Sequence, residues 1–428
     1  MTNPIFALID CNNFFVSCLR VFKPDLEGKP VVALSSNDGC VVARSNEAKS
    51  LGIPMGAPAF KWRQFFKDNS VIQMSGNFEL YGEMSKRITS LLTTITPRIE
   101  VYSVDESFLD LSELDISNYT EWGGEVSSLI KQWTGIPVSV GVAGSKTLAK
   151  LASERVKRDP ELDSVLDLYS LNKKERSKFL AKTPIQDVWG VGYRLAPKLR
   201  GEFIATADDL SRITPKFANQ LMGVHGRQMV AELNGISCLP LERFSKPAQS
   251  ISVTRTFGED TNQLHVIESA LSSFAAKAAF RLRLHNQHTN RIGFFITTNR
   301  HKPGYKSFCE ELKLTSPTSD TGKLTSLLIN MMSRHYSNNY YYHRAGVWLC
   351  DLSTDSNLQL DLMGNTNLLE QNSSRRRMKA LDNINSRYGK GTMYFAIENL
   401  NKSWQPKNEI KIPRFTTRWD ELPNLKLD

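Results

Sequence analysis

Short apolar runs alternate with longer amphipathic stretches over the first 160 residues. Residues 4–10, 31–34 and 138–142 are aliphatic or β-branched runs bounded by turn residues, which is typical of strands. Residues 77–95 and 146–158 instead repeat apolar positions with helical spacing. Because strands and helices alternate in mixed order, the pattern predicts an α+β arrangement for this part of the chain.

The pattern changes after residue 170. Residues 170–240 are predicted to form short helices, interrupted by glycines at 190–192 and at 223–226. A proline-containing linker follows, and residues 250–352 then predict the element order β-α-β-β-α-β. The tail after residue 358 is polar and basic and contains only short patterned stretches. The chain is therefore expected to be a multidomain α+β protein.

Composition narrows the protein class. A chain of 428 residues with 40% hydrophobic and 23% charged residues fits two to four globular domains. It lacks a run of about 18 apolar residues and a basic segment before its first apolar stretch, so neither a membrane span nor a secretory signal is predicted. Six scattered cysteines predict reduced thiols in a cytoplasmic protein. His285 and His288 are expected at the surface.

The positive charge is concentrated towards the C-terminus. The whole chain carries +10, but residues 1–110 carry a net −1 and residues 365–428 a net +5. This asymmetry predicts a protein that holds a polyanion with its C-terminal half and acts on it with its N-terminal half. A plain solvated basic surface is the alternative that charge alone leaves open.

Two acidic motifs carry the candidate chemistry. Asp10 ends an apolar strand, and Asp105-Glu106 lies between two further apolar stretches. A strand that turns abruptly from apolar to acidic requires a partner for the charge, and a second acidic strand with a divalent cation between them supplies one. Carboxylates with substrate phosphates suit Mg²⁺. The two motifs therefore indicate phosphoryl transfer, with Asp10 and Asp105 bridging two metal ions, Glu106 on the nucleophile side and the Cys11 carbonyl as a further oxygen.

Residues after Asp10 and several separated cations suit a nucleoside triphosphate. Main-chain N–H groups of the turn at Asn12-Asn13-Phe14-Phe15 could hold phosphate oxygens. The ring of Phe15 would lie near the sugar and exclude a 2′-hydroxyl. Candidate cations for the triphosphate are Arg44, Lys49, Lys150 and Lys157. Taken one at a time, each of these residues could equally be core or solvated surface.

The segment 187–194 contains Gly190-Val191-Gly192 between predicted short helices. Two glycines in such a turn allow main-chain amides to approach a DNA phosphate, a contact that does not depend on sequence. Together with Pro184, Trp189 and Lys198, the segment predicts a helix-hairpin-helix.

The ordered set of motifs resembles the Y-family translesion DNA polymerases, most closely the UmuC-type catalytic subunits of the SOS-induced DNA polymerase V. The resemblance covers essentially the whole chain. The motifs that carry it are Asp10 with Phe15, Asn37-Asp38-Gly39-Cys40-Val41-Val42-Ala43-Arg44, Glu47-Ala48-Lys49, Tyr102-Ser103-Val104-Asp105-Glu106, Lys146-Thr147-Leu148-Ala149-Lys150-Leu151-Ala152 and Asp187-Val188-Trp189-Gly190-Val191-Gly192.

The resemblance implies a right-handed polymerase with palm, small fingers, a helix-hairpin-helix thumb and a β-α-β-β-α-β little finger. The implied boundaries are 1–13 and 78–168 for the palm, 14–77 for the fingers, 169–242 for the thumb, 243–249 for a linker, 250–357 for the little finger and 358–428 for a C-terminal extension that binds a clamp and partners.

It also implies the role of each site residue. Asp10, Asp105 and Glu106 match the catalytic carboxylates, which with the Cys11 main chain would bind two Mg²⁺ ions, with Mn²⁺ as a substitute. The implied nucleotide contacts are Asn12, Asn13, Phe14, Phe15 as the steric gate, Arg44, Lys49 and Lys157. The implied DNA contacts are Gly190, Gly192, Arg194 and Lys198.

The implied activity is that of a DNA-directed DNA polymerase. It would perform error-prone translesion synthesis in the SOS response on primed DNA with deoxynucleoside triphosphates, without a proofreading nuclease. The segment Gln359-Leu360-Asp361-Leu362-Met363 resembles a sliding-clamp-binding peptide, with Gln359, Leu360, Leu362 and Met363 as its contacts. Relatives use the remaining tail to engage a processed UmuD-type dimer and a recombinase filament.

Two other functions remain open from the residues alone. A palm-type nucleotide cyclase also has paired carboxylates on adjacent strands, but it has no use for a thumb or a clamp peptide. A non-catalytic DNA-binding scaffold that recruits clamp and recombinase would explain the basic tail, but it would not need all three carboxylates.

Overall fold

The structure is a computed structural model that describes residues 4–159, 161–242, 247–354, 368–398, 403–416 and 418–422. The strands are β1 (Phe6–Cys11), β2 (Val31–Leu34), β3 (Val41–Arg44), β4 (Ile72–Ser75), β5 (Ile99–Val101), β6 (Glu106–Asp110), β7 (Val138–Ala143), β8 (Val165–Asp167), β9 (Ser250–Thr261), β10 (Gln287–Thr298), β11 (Ser307–Thr318) and β12 (Tyr342–Thr354).

The helices of the N-terminal half are α1 (Phe14–Phe22), α2 (Asn46–Ser50), α3 (Ala59–Asp68), α4 (Phe78–Ile95), α5 (Tyr119–Thr134) and α6 (Lys146–Arg158). Those of the C-terminal half are α7 (Lys173–Ala181), α8 (Leu195–Gly201), α9 (Ala207–Arg212), α10 (Pro215–Leu233), α11 (Leu264–Leu284), α12 (Thr321–Ser333) and α13 (Leu368–Tyr388). No helix in these described ranges is long and apolar enough to cross a membrane.

The chain forms two compact units. The first comprises Met1–Ser35, Gly39–Ser245 and Ile410–Asp428, and the second comprises Ser36–Asp38 and Lys246–Glu409. The predicted multidomain α+β character is therefore confirmed. The finer boundaries expected for palm, fingers, thumb and little finger stay predictions.

A five-stranded sheet of order β5-β6-β1-β7-β8 lies at the centre of the first unit. Because side chains alternate along a strand, β1 supplies two different cores. Ala7 and Ile9 pack in the cluster that includes α1, α4 and α5. Phe6 and Leu8 pack in the cluster that includes α6 and α8–α10. The residue that continues the second series along β1 is Asp10.

Helix α6 packs closely against the sheet because Gly141 of β7 has no side chain. A Cβ atom at Gly141 would come within 2.2 Å of the Ala149 carbonyl oxygen and 2.5 Å of the Ser153 nitrogen. Ser145 caps the helix by accepting a hydrogen bond from the Leu148 N–H. These two features fix the distance and the starting point of α6 relative to the sheet.

Two smaller parts complete the first unit. A three-stranded sheet of order β3-β2-β4 packs with α2 and α3. Helices α7–α10 follow β8, and α10 is broken at Gly223, where the backbone takes φ 69° and ψ −158°. The second predicted glycine break therefore occurs at Gly223, inside α10.

The second unit contains a four-stranded sheet of order β11-β10-β12-β9, whose neighbouring strands are all antiparallel. Helices α11 and α12 pack on one face of it and form one core with its inward-facing residues. The predicted β-α-β-β-α-β order is confirmed. His288, which was expected at the surface, is buried, so that expectation was wrong.

The described parts of the C-terminal tail contain more regular structure than their sequence pattern indicated. Helix α13 spans 21 residues, but among its described side chains Met378 is the buried apolar one. An ion pair between Arg283 and Asp382 links it to α11. Trp404 is buried in the core of the second unit and Ile412 in a core of the first. The tail thus contributes core residues to both units.

Candidate active site

The two acidic motifs meet on adjacent strands of the five-stranded sheet. Asp10 of β1 lies directly opposite Glu106 of β6 in an antiparallel register. The Cys11 N–H donates to the Asp105 carbonyl oxygen at 2.9 Å, which brings the third acidic residue to the end of the same strand pair. The predicted convergence of Asp10, Asp105 and Glu106 therefore has the strand pairing it requires.

Two lysines of α6 bind these carboxylates. The Lys157 Nζ lies 2.5 Å from Asp10 Oδ2, and the Lys150 Nζ lies 2.7 Å from Glu106 Oε1. The lysines are seven residues apart, or two helical turns, so they project from the same side of α6. Asp10 and Glu106 face this side because they continue the alternating series that packs against α6. The helix thus places one ammonium group on each carboxylate.

Asp10 is the most deeply buried of the three acidic residues, with 5% of its surface exposed. Burial raises the pKa of Asp10 to about 7; Lys157 opposes this shift, and the charges of Glu106 and Asp105 add to it. Burial alone would lower the pKa of Lys157, but attraction to Asp10 raises it. The second oxygen of Asp10, Oδ1, is buried and has no hydrogen-bond partner among the described residues.

The Asp105 carboxylate is oriented by a residue that sequence reasoning did not single out. The Ser103 hydroxyl donates to Asp105 Oδ1 and accepts hydrogen bonds from the main-chain N–H groups of Asp105 and Glu106. This hydroxyl therefore fixes the turn that carries both acidic residues. A serine two residues before an aspartate is a common turn pattern, and it could have been found from the sequence.

The acidic residues suit a divalent metal, although they do not form a ready-made cage. Within the described ranges, no three carboxylate, imidazole or thiolate groups are gathered as a metal site. Asp10 nevertheless presents a buried, unpartnered oxygen, and the charges of Glu106 and Asp105 act on this carboxylate; hard oxygen ligands of this kind favour Mg²⁺ or Mn²⁺. The donor types therefore suit the metal that the sequence predicts, and Asp10, Asp105 and Glu106 stay its predicted side-chain ligands.

The predicted phosphate-binding turn lies at the start of α1. Asn13 adopts a left-handed conformation with φ 49°, and no described side chain caps the helix. Asn12 is held by the Ser139 hydroxyl, and the Asn13 side chain donates to Asn46 Oδ1 at 2.9 Å. The Phe14 side chain is buried in the core, so the expected contact of Phe14 with a nucleotide could involve only its main chain.

Phe15 is only partly buried and stacks on Tyr81. The two ring centroids are 4.2 Å apart with an interplanar angle of 8°, and Phe78 meets the ring of Phe15 edge-on. This packing fixes the orientation of the Phe15 ring, as a steric gate requires. Sequence reasoning missed Tyr81, because a partner 66 residues away leaves no local signal.

Two further predicted cations belong to the same electrostatic environment. Burial lowers the pKa of Lys49, and repulsion from Arg44 and Lys157 lowers it further. The Arg44 guanidinium donates to the main-chain carbonyl of Ile53. Lys49 therefore lies within electrostatic range of both Arg44 and Lys157, and a joint role of the three in triphosphate binding stays a prediction.

The predicted DNA-binding residues lie around the turn before α8. Gly190 has φ 93°, a conformation that favours glycine. Arg194 lies 5.4 Å from the ring centroid of Tyr193, which is 81% exposed. The Lys198 Nζ, however, donates to the Leu221 carbonyl at 2.7 Å, just before the break in α10. Lys198 therefore also joins α8 to α10.

The expected clamp-binding residues Gln359, Leu360, Leu362 and Met363 lie outside the described residues.

The chain matches two parts of one protein family and a third domain. Residues 9–154 match the impB/mucB/samB family, and residues 248–362 match the C-terminal domain of the same family. Residues 375–425 match a domain of unknown function.

Several relatives align with this chain over almost its whole length. Protein UmuC of Salmonella typhimurium is 38% identical, with 99% of this chain aligned to all of that protein. Protein SamB of Salmonella typhimurium is 37% identical over the same share of both chains. DNA polymerase IV of Oceanobacillus iheyensis is 25% identical, covering 98% of this chain and 96% of that protein.

Solved structures share the fold. A chimera of the Y-family DNA polymerases Dbh and Dpo4 superposes with a TM-score of 0.65 at 24% identity, covering 82% of this chain and all of that one. The insertion ternary complex of Dbh DNA polymerase has a TM-score of 0.52 at 23% identity with the same coverage. Family models, full-length relatives and fold agree: the chain belongs to the impB/mucB/samB family as a UmuC-type member, and it has the fold of the Y-family DNA polymerases.

Proposed function

We propose that this chain extends a DNA primer past template lesions, with Asp10, Asp105 and Glu106 as the carboxylates of a two-metal centre. The activity itself follows from the family, since UmuC-type Y-family proteins are DNA-directed DNA polymerases of error-prone translesion synthesis. The observation that supports this residue assignment is the direct pairing of Asp10 with Glu106 on the side of the sheet that faces α6. Neither a nucleotide cyclase nor a non-catalytic scaffold has support among the relatives reported above.

The reaction joins the primer to the incoming nucleotide. The primer 3′-hydroxyl oxygen forms a bond to the α-phosphorus, the bond from that phosphorus to the bridging oxygen breaks, and pyrophosphate leaves. Y-family polymerases depend on divalent metals, and two bound Mg²⁺ ions, or Mn²⁺ in their place, would activate the hydroxyl and neutralise phosphate charge. Asp10 and Asp105 would hold both ions, Glu106 would serve the hydroxyl side, and the Cys11 carbonyl would add an oxygen.

The chain's own groups supply the other contacts to the triphosphate. The main-chain N–H groups of Asn13, Phe14 and Phe15 at the start of α1 would bind phosphate oxygens at this helix N-terminus, whereas the Asn12 N–H already donates to the Pro137 carbonyl. Lys157 carries positive charge beside Asp10, Lys49 lies within range of the Asp10 charge, and Arg44 lies within range of Lys49. Charge neutralisation and positioning account for most of the rate of a phosphoryl transfer.

Primed DNA is the second substrate. The insertion ternary complex of Dbh is a neighbouring structure of the same fold. In this chain the turn at Gly190 and Gly192, with Arg194, would contact the DNA backbone, and Lys198 would support the turn through α10. The net charge of +10 favours such contacts.

Primer extension tests the residue assignment. Single-turnover incorporation with Mg²⁺ would be measured on an undamaged template and on one with an abasic site, for the parent and for Asp105→Asn. We expect the rate to fall at least about 1,000-fold, because one metal ligand and one charge are lost at the reacting phosphate. Asp115→Asn, an exposed aspartate on the loop before α5, is the matched control and should incorporate like the parent. Undiminished synthesis by Asp105→Asn would refute the catalytic assignment.

The steric-gate role of Phe15 has its own test. Phe15→Ala should incorporate ribonucleotides at least about 10-fold more readily relative to deoxynucleotides, because the ring that would meet the 2′-hydroxyl is gone. Phe60→Ala removes a ring that is 76% exposed on α3 and should leave sugar selection unchanged. The gate assignment fails if Phe15→Ala selects sugars as the parent does.

We further propose that Gln359, Leu360, Leu362 and Met363 bind a sliding clamp, and that the tail engages a processed UmuD-type dimer and a recombinase filament. The double variant Leu360→Ala, Leu362→Ala should lose clamp-dependent processivity while its synthesis without the clamp is unchanged. Equal stimulation of parent and variant by the clamp would reject this peptide as the contact.

A further inference from the structure

The Lys150 ammonium group has two aromatic contacts in addition to its ion pair. Its Nζ lies 2.7 Å from Glu106 Oε1, 4.6 Å from the ring centroid of Tyr102 and 5.4 Å from that of Trp189. The side chains of Lys150 and Glu106 are only 19% and 16% exposed. The ammonium group is thus held by a carboxylate and by two aromatic faces, which attract a cation through their quadrupoles. Glu106 Oε1 is bound in this way, and Oε2 is the oxygen left for other partners.

The two rings belong to different parts of the first unit. Tyr102 immediately precedes the turn that carries Asp105 and Glu106. Trp189 immediately precedes Gly190, the first glycine of the expected DNA-binding turn. The rings meet edge to face with centroids 5.4 Å apart, and Trp189 also contacts Phe108 of β6 at 6.1 Å.

Trp189 lies beside residues of a buried core. Its neighbours Val188 and Val191 are 2% and 5% exposed and belong to the core shared by β1, β6, α6 and α8–α10. A displacement of the turn at Gly190 would therefore move Trp189, and Trp189 contacts both Tyr102 and Lys150.

We propose that Lys150 is a positioning residue for Glu106, and that Trp189 and Tyr102 hold Lys150 so that the Gly190–Gly192 turn is coupled to this carboxylate. The inference rests on the proposed function, in which Glu106 serves the attacking hydroxyl. Lys150 fixes one oxygen of Glu106 and thereby the direction of the other. Lys150, Tyr102 and Trp189 then keep two groups in a fixed relative position. One is the primer bound at the turn, and the other is the Glu106 carboxylate that serves the primer 3′-hydroxyl.

The first experiment separates positioning from binding. Lys150→Met removes the charge and keeps the stem, Lys150→Arg keeps the charge, and Lys131→Met changes an exposed lysine of α5 as the control. In single-turnover incorporation, Lys150→Met should lower the maximum rate about 10- to 100-fold, since small misplacements of a reacting group cost rates of this order. The Kd for primed DNA should change by less than about two-fold, and Lys150→Arg should recover most of the rate.

The second experiment measures metal binding without DNA or nucleotide. Free Mn²⁺ would be followed by electron paramagnetic resonance during titration of parent, Lys150→Met and Asp105→Asn. Lys150→Met should bind Mn²⁺ at least as tightly as the parent, because a competing cation beside Glu106 has been removed. If Lys150→Met weakened Mn²⁺ binding by about the same factor as it lowers the incorporation rate, the proposal would be overturned. Lys150 would then act by supporting the metal site and not by orienting Glu106.

The third experiment tests the coupling through Trp189. Trp189→Leu should slow incorporation about as much as Lys150→Met, and the double variant should be no slower than the slower single variant, because both changes break one pathway. Trp133→Leu, which removes an indole that is 72% exposed, is the matched control. Multiplicative losses in the double variant would overturn the coupling.

Thermal denaturation would first confirm that each variant is folded. If Trp189→Leu is not folded, Trp189→Phe, which retains an aromatic face, replaces it in the same double-variant comparison, with a smaller expected loss of incorporation rate. The parent and Asp105→Asn accompany every series. If Asp105→Asn is active, the proposed function fails; if it is inactive while Lys150→Met matches the parent, only the positioning role fails.

Discussion

The two ends of helix α6 both contain lysines and buried carboxylates, but they differ in how completely their polar atoms are paired. Near the N-terminus, Lys146 forms an ion pair with Glu100 and donates to the Pro240 carbonyl. In the same region the Glu232 carboxylate, with no exposed surface, accepts hydrogen bonds from the N–H groups of Thr147, Cys238 and Leu239. These bonds join α6 to the segment that follows α10.

Further along the helix, pairing is incomplete. Lys150 and Lys157 each bind one oxygen of Glu106 and Asp10, and Asp10 Oδ1 is buried without a described partner. An unpaired buried carboxylate oxygen is destabilising in itself. A buried charged group stabilises the fold where all its polar atoms have hydrogen-bond or ion-pair partners. A buried charged group with an unpaired polar atom indicates a ligand site.

Gly141→Ala should disturb both ends of α6 and have the largest effect on stability. A Cβ atom would clash with the backbone of α6 at Ala149 and Ser153, so the helix must move off the sheet. We expect a loss of about 3 kcal/mol or more in unfolding free energy, measured by urea denaturation. Gly124→Ala on α5 is the control, because nothing lies within 4 Å of its added Cβ. Equal stability of the two variants would contradict the close packing of α6.

Glu232→Gln should destabilise only the fully paired end. The amide keeps one acceptor oxygen but turns an NH₂ group towards a main-chain donor, which costs about 2 kcal/mol in unfolding free energy. Glu125→Gln on the exposed face of α5 should change it by less than about 0.5 kcal/mol. If Glu232→Gln is as stable as its control, the buried network does not stabilise the junction.

Asp10→Asn should have the smallest effect on stability, and in the opposite direction. Without divalent metal, the amide oxygen can still accept a hydrogen bond from Lys157. The variant no longer buries the negative charge of a carboxylate whose second oxygen has no partner. The melting temperature in the presence of a chelator should therefore equal or exceed that of the parent, and added Mn²⁺ should stabilise the parent more than the variant. A clear drop in the metal-free melting temperature would show that Asp10 is a structural residue.

Much of this contrast could be predicted from the sequence. The acidic ends of β1 and β6 and the cations of α6 follow from local patterns, and the alternation of side chains in strands predicts a shared face for Asp10 and Glu106. Lys157 was nevertheless predicted to contact the phosphates of a bound nucleotide. The contact of Lys157 with Asp10 could not be predicted, because the distance between residues 147 positions apart depends on how α6 packs on the sheet.

Contacts between distant segments could not be predicted for the same reason. The rings of Tyr102 and Trp189 meet only because α8–α10 share a core with β6 and α6. Helix α13 was missed because it is held through polar pairs such as Arg283 with Asp382, and it lacks an apolar stripe that periodicity would detect. Trp404 and Ile412 enter two different cores as single residues, which no periodic pattern indicates.

One measurement tests the account most directly: single-turnover nucleotide incorporation by Asp10→Asn and Glu232→Gln, at a temperature well below the melting temperature of both. We expect Asp10→Asn to be folded and stable yet at least about 1,000-fold slower than the parent, whereas Glu232→Gln, although less stable, should stay within about three-fold of the parental rate. An active Asp10→Asn, or a folded Glu232→Gln that cannot incorporate nucleotide, would contradict the division of α6 into a structural and a catalytic end.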